Sequence, residues 1–394
     1  MMKSLQSVTY SLQLAASARR IQSAIPSVGL GSMCGSNATY IQASPRRGLS
    51  CNTVLLPPYR HRLLYLPSSC RGSSQTQASY TTSATKQPTI HNIFENVTGA
   101  WQYIVADPST SAAVIIDPVL DYEPSTQAIT TRSADKLLSF IQEKDYKIER
   151  ILETHAHADH LTASSYLQNR LSQRQGHKPP ISIGKRIEQV QKLFGQRYGL
   201  TEDEYNNVFD KLFDDDETFS LGNLTAKAIH LPGHTPDHLG YQIGGKIGTL
   251  SHRSITNCNL DNVFCGDSLF HADIGTARYD FPGGDAASLF QSGRKLLELD
   301  DHVKIWPGHD YPPDGRKPIP WMSVYEQKKL NKHLGDMVSE KEFVDMRNER
   351  DKGLSAPRLL HQSLQINIRA GRLPRMEDGF RMLRLPLKLG GLEW

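Results

Sequence analysis

From about residue 90 onward, short apolar runs alternate with amphipathic stretches. Gln102–Val105 and Ala113–Ile116 are apolar runs of strand length, joined by the polar Asp107-Pro-Ser-Thr-Ser, which predicts a hairpin. Ser133–Lys144 sets Leu137, Leu138, Phe140 and Ile141 at helical spacing, with Ser133 as N-cap and Asp135 in the first turn. Ala163–Gln173, Ile187–Tyr198 and the amphipathic Ala286–Leu299 read as further helices. Ile148–Leu152, Thr225–His230, Leu239–Ile243, Asn262–Cys265 and Val303–Trp306 read as strands. No internal period is evident. Alternating strands and helices predict an α/β class, with sheet covered on both faces.

Residues 1–94 depart from this pattern. They hold nine of the 45 Lys/Arg and none of the 41 Asp/Glu, leaving 36 basic and 41 acidic residues in the rest. The body is therefore mildly acidic, which excludes a basic nucleic-acid-binding body and gives no reason for a membrane-surface partner. No apolar run reaches the 18 residues of a membrane span. The opening stretch 1–25 can form a helix carrying Leu5, Leu12, Leu14 and Ile21 among Lys3, Arg19 and Arg20. Acid-poor, Ser-rich and Arg-containing, it reads as a presequence for the mitochondrial matrix, because a cationic segment responds to a negative-inside potential. Ser68–Thr89 reads as linker. The expected division is thus 1–89 transit peptide and linker, and 90–394 folded domain. Of five cysteines only Cys258 and Cys265 lie in the body, too few for a disulfide framework; Cys265 falls in a strand predicted to be buried.

Chemistry concentrates in four loops, each just past a predicted strand. The first is Thr154-His-Ala-His-Ala-Asp-His160, with three imidazoles and a carboxylate in six residues. A lone histidine is ordinarily a packed or surface side chain; three clustered with an aspartate are a ligand set for a first-row metal. Leu231-Pro-Gly-His234, Cys265-Gly-Asp267 and Trp306-Pro-Gly-His309 each add one ligand-type residue beside a Gly or Pro that permits a tight path.

At these residues the chain resembles the metallo-β-lactamase superfamily, whose signature is His-x-His-x-Asp-His. The resemblance spans most of 90–394 and implies an αββα sandwich with metal at the strand ends along one edge. Carried over by motif, the ligand set is His155, His157, Asp159, His160, His234, Asp267 and His309, complete for two metals with Asp267 bridging. Arg278-x-Asp280-Phe281 and His309-Asp310-Tyr311 are similar to stretches of the persulfide dioxygenases. That branch implies one Fe(II) per chain, held by His155, His234 and Asp267, with positions left for O2 and a persulfide sulfur. His157, Asp159, His160 and His309 would then orient ligands and move protons. Arg278 and Tyr311 would hold glutathione, the guanidinium matching a carboxylate in bidentate fashion.

The implied reaction is oxidation of glutathione persulfide by O2 and water to sulfite and glutathione in mitochondrial sulfide catabolism. Asp280-Phe281-Pro-Gly-Gly-Asp285, Tyr311-Pro-Pro-Asp-Gly and the tail Ser355-Ala-Pro-Arg358…Leu364-Gln-Ile-Asn-Ile-Arg369-Ala-Gly resemble a bacterial-type subgroup. A rival of the same fold is similar to glyoxalase II, with two Zn(II) acting on a glutathione thioester. A second rival is a non-catalytic member that uses the sandwich for binding; the complete ligand set speaks against it. Neither nucleic acid nor membrane is an expected partner, and a homodimer is left open. Lys246–Asn259 reads as a polar surface loop, Asp214–Glu217 as a solvated acidic turn, and Arg369–Lys388 as a basic tail packed on the domain edge.

Overall fold

Strand β1 (Thr89–Glu95) turns into β2 (Ala100–Ala106), which forms the expected hairpin with β3 (Ala112–Ile116). The computed structural model describes residues 87–245, 261–387 and 390, so the presequence and the 246–259 loop lie outside the described residues. A small hairpin of β4 (Val119–Glu123) and β5 (Ala128–Thr130) leads into helix α1 (Arg132–Glu143). The chain then enters β6 (Lys147–Leu152), parallel to β3, and the two-residue β7 (Leu161–Thr162), which pairs with β4. Helix α2 (Ser164–Gln175), β8 (Ile181–Gly184), helix α3 (Ile187–Arg197), the one-turn α4 (Glu202–Tyr205) and β9 (Lys211–Phe213) complete this half.

The second half runs β10 (Thr218–Leu221), β11 (Leu224–His230), β12 (Leu239–Gly244), β13 (Asn262–Gly266), helix α5 (Ala286–Leu297), β14 (Lys304–Pro307) and β15 (Met322–Ser323). Helices α6 (Val324–Leu330), α7 (Glu340–Asp351) and α8 (Leu360–Asn367) follow, then a last hairpin of β16 (Met376–Glu377) and β17 (Phe380–Arg381). The two main sheets have six strands each, in the orders β1-β2-β3-β6-β8-β9 and β10 through β15.

Strand periodicity turns these sheets into four layers. Tyr103 and Val105 of β2 and Val114 and Ile116 of β3 point inward, against Ala226, Tyr241, Ile243, Phe264 and Trp306 of the second sheet. Their neighbours Ile104 and Ile115 point outward onto Leu137, Leu138, Leu167, Val190 and Phe194 of the first helical layer. Val263, Cys265 and Ile305 do the same beneath Leu289, Phe290, Leu296 and Phe343 of the second. The result is the αββα sandwich.

Local expectations held unevenly. Helix α1 is capped at Thr131, not Ser133; the Ser133 hydroxyl and amide instead bond the Asp121 carboxylate, both at 2.8 Å, which ties the helix to β4. The acidic turn lies at the surface, but each acid has a basic partner: Lys185, Arg186, Lys227 and Lys211 for Asp214, Asp215, Asp216 and Glu217. The basic tail packs on the domain, with Arg369 buried against Glu204 at 2.9 Å and Arg384 donating to Tyr198 O at 3.0 Å. Cys265 is buried in β13, and burial pushes its thiol up to about 12.

Candidate metal centre

Every strand that feeds the centre ends in a loop at one edge of the sandwich. After β6 the segment Glu153–His160 crosses to β7; after β11, β13 and β14 come His234, Asp267 and His309. Gly308 shows why the path is tight: a Cβ there would lie 2.5 Å from Asp267 Oδ1. The loops are also stitched in pairs: Leu239 N, just past the second loop, donates to Thr154 O of the first at 2.9 Å, and Gly308 N of the fourth donates to Gly266 O of the third at 2.7 Å.

Asp267 stands between two groups of imidazoles. One oxygen, Oδ2, lies 4.0 Å from His155 Nε2 and 3.7 Å from His234 Nε2. The other, Oδ1, lies 3.8 Å from His309 Nε2, which is 3.2 Å from Asp159 Oδ2. His155, His234 and Asp267 thus converge as one set of donor atoms, and His157, Asp159, His160 and His309 as another. All of these residues are buried except Asp159, which is partly exposed, and the buried atoms His155 Nε2, His160 Nε2, His309 Nε2, Asp159 Oδ2 and Asp267 Oδ1 have no hydrogen-bond partner. Buried polar atoms left unpaired cost about 1–3 kcal/mol each, so a cluster of them is a cavity shaped for a cation. The residues fit a metal.

The outer layer fixes which nitrogen faces that cation. His234 Nδ1 donates to Arg278 O at 2.7 Å, leaving the Nε2 lone pair free. His155 Nδ1 lies 2.9 Å from Thr154 Oγ1, which in turn donates to Asp117 Oδ2 at 2.8 Å. Burial holds the His155 imidazole well below its ordinary value, so it is a neutral ligand. His157 differs. Burial alone would depress it, but Asp117, 3.2 Å from Nε2, and Glu153, 3.6 Å away, raise it well above the ordinary value.

Four residues that sequence reasoning passed over support this centre. Asp117 accepts from Thr154 N at 2.7 Å as well as from its hydroxyl. His238 Nε2 accepts from Asp267 N at 2.9 Å, and Asp237 Oδ2 from Ala156 N at 2.8 Å. Asn367, on α8, donates to His157 O and His160 O at 2.7 and 2.8 Å and accepts from Thr162 N at 2.8 Å. The Asp117-Pro step after an apolar strand and the His234-x-x-x-His238 spacing were the available signals; Asn367 stands inside the Leu364-Gln-Ile-Asn-Ile stretch of the tail, to which no role was attached.

Of the two residues expected to hold substrate, Tyr311 is half-exposed, its ring stacked on His309 at 5.5 Å between centroids. The Arg278 guanidinium forks onto the Asp280 carboxylate and donates to Ser355 O at 2.8 Å. Its nearest carboxylate in this structure is thus its own neighbour.

Residues 96–247 match the profile of the metallo-β-lactamase superfamily. The chain is 42% identical to a protein named glyoxylase B2 of Dictyostelium discoideum, across 74% of this chain and 94% of that one. It is 39% identical to a probable metallo-hydrolase of Burkholderia pseudomallei, across 76% of this chain and 99% of the relative. The crystal structure of ETHE1 from Myxococcus xanthus superposes with a TM-score of 0.55 at 24% identity, over 72% of this chain and 100% of that one, which is a likeness of fold. The chain belongs to the metallo-β-lactamase superfamily. Its strand-end loops carry the His and Asp donors described above, which form a cluster suited to bind metal.

Proposed function

We propose that this protein is a persulfide dioxygenase that oxidises glutathione persulfide in the mitochondrial matrix. The observation that carries the reading is the convergence of the His155, His234 and Asp267 donors as a two-His-one-carboxylate set beside Arg278-x-Asp280-Phe281 and His309-Asp310-Tyr311. One persulfide, one O2 and one water give glutathione, sulfite and two protons, so the terminal sulfur is oxidised and oxygen reduced. His155, His234 and Asp267 would hold a ferrous ion, which would supply the redox chemistry between O2 and the persulfide sulfur. The chain's own groups do the rest. His234 and His155 keep their Nε2 lone pairs directed inward through the Arg278 carbonyl and Thr154. His157, already paired with Asp117 and Glu153, holds a proton at the edge of the centre, and Asp159, His160 and His309 line the path by which protons leave. Tyr311 forms the rim against which the thiol tripeptide lies. Arg278 takes a substrate carboxylate by exchanging it for Asp280.

The test is metal analysis and turnover on anaerobically purified protein. About one iron per chain, with sulfite and O2 consumption stoichiometric on glutathione persulfide, is the expected result. One feature favours a second reading, a dinuclear zinc hydrolase of glutathione thioesters: Asp267 Oδ1 also faces His309, and the second donor set is complete. Two tightly bound zincs with thioesterase activity would establish that reading in place of the first.

A further inference from the structure

Beside the centre lies a cleft with His160 in its wall, bounded by the turn Glu95–Gly99, the β4–β5 hairpin and the segment ending at Arg358 and Leu359. Its turn abuts the rim of the centre: Gly99 has φ +73°, and a Cβ there would lie 2.9 Å from the Tyr311 ring and from Asp310 O. The segment 355–358 is itself moored to the centre, since Ser355 O accepts from Arg278. His160 is therefore shared by the cleft wall and the donor set of the centre.

Its wall carries three carboxylates, Glu95, Asp121 and Glu123, and two exposed arginines, Arg132 at the start of α1 and Arg358. Asp121 spends both oxygens on Ser133, and Glu95 spends both on the backbone of Val97 and on Thr98. Glu123 spends only Oε1, accepting from Ser125 N at 3.0 Å and Ser125 Oγ at 2.8 Å. Arg358 is exposed and makes neither a hydrogen bond nor an ion pair among the described residues. Its charge nevertheless reaches Glu123: behind the hydrogen bonds from Ser125, it helps hold that carboxyl below its ordinary range. Arg358 and Glu123 thus share one cleft without closing on each other, with Arg132 a second cation in the same wall.

From this we infer that Arg358 and Glu123 form a subsite for an α-amino-acid zwitterion, the γ-glutamyl end of a glutathione-based substrate. Arg358 takes the α-carboxylate and Glu123 Oε2 the α-ammonium, while the sulfur end reaches the donors past His160. A guanidinium presents two parallel N–H groups to a carboxylate, and a free carboxylate oxygen accepts from an ammonium; the pair reads both ends of the zwitterion at once. The inference rests on the reading of the centre as one for glutathione-based substrates. It assigns the peptide end to residues other than Arg278.

The experiment is calorimetric titration of the full-length, metal-loaded protein with S-methylglutathione, and with S-methyl-N-acetylcysteinylglycine, which lacks the γ-glutamyl zwitterion. Arg358→Gln is expected to weaken S-methylglutathione about ten-fold or more, and Glu123→Gln several-fold, with unchanged melting temperatures. The truncated ligand should bind the wild type more weakly and be indifferent to both substitutions. Wild-type binding that neither substitution alters overturns the subsite and leaves the dioxygenase reading standing; no wild-type binding of S-methylglutathione also overturns it. Weakened binding in a protein that forms no sulfite from glutathione persulfide sustains the subsite and removes the dioxygenase reading.

Discussion

At the scale of single residues, ligands and their supports should part company under mutation. His155→Ala, His234→Ala or Asp267→Ala removes a donor, so metal content and activity should fall together in elemental analysis and rate assays. Arg278→Ala should leave metal in place and raise the KM for glutathione persulfide about ten- to a hundred-fold, the loss of a charge-assisted hydrogen bond of roughly 1.5–3 kcal/mol. Normal saturation would make the Arg278–Asp280 pair purely structural. Asn367→Leu is a different case. It strips the donors from His157 O and His160 O and the acceptor from Thr162 N, so urea midpoints should show a loss of about 1–3 kcal/mol. The candidate donors at 155–160 were legible because they repeat a chemical type at short spacing, and His234, Asp267 and His309 because each stands beside a Gly or Pro just past a predicted strand. Asp117, His238 and Asn367 were not, because each is one polar residue whose partner lies far off along the chain.

At the scale of elements, legibility followed the strength of the period. β2, β3, β6, β11 and β13 are apolar runs with buried residues on both faces or in alternation, and each was readable. Helix α7 was missed because only Phe343, Arg347 and Asp351 are buried, and two of those three are charged. The ion pair Arg347–Asp351 is the reason: Arg347 donates to Thr276 O at 3.3 Å and Asp351 accepts from Tyr279 N at 3.0 Å, so this helix carries the loop around Arg278 on charges rather than on an apolar stripe. Helix α5 shows the usual logic. Asp285 caps it by accepting from Ser288 N at 2.7 Å, so Asp285→Ala should lower stability by about 1 kcal/mol in denaturant unfolding. The helix also packs Leu289 and Phe290 on the second sheet, so the whole domain should feel that loss.

At the scale of the whole molecule, His333 links stability to pH. Burial, then the charges of Arg347, Lys332 and Arg350, bring its imidazole from 6.5 down to about 3, while its Nδ1 accepts from Thr276 N at 3.1 Å. The unfolded chain therefore takes up this proton first as pH falls. The stabilisation is present above 6.5 and is lost toward 3, with a slope of at most about 1.4 kcal/mol per pH unit. Unfolding curves at pH 7.5 and 5 should show a larger loss for the wild type than for His333→Gln. The acid-free N-terminal region makes a separate prediction: residues 1–90 fused to a fluorescent protein should enter mitochondria, and a diffuse cytosolic signal would remove the localisation. The metal donors span His155 to His309, and Asn367 clamps their first loop from the last long helix. That arrangement sets a timetable. A growing polypeptide offers its early imidazoles long before Asp267 and His309 exist beside them, and such a fragment discriminates poorly among ions, which it ranks by bare affinity. Only the finished chain, with α8 docked, imposes the geometry that selects one. The ion that fills the centre is therefore decided where folding ends, after synthesis is over, and biogenesis of the active protein depends on the metal supply of that place.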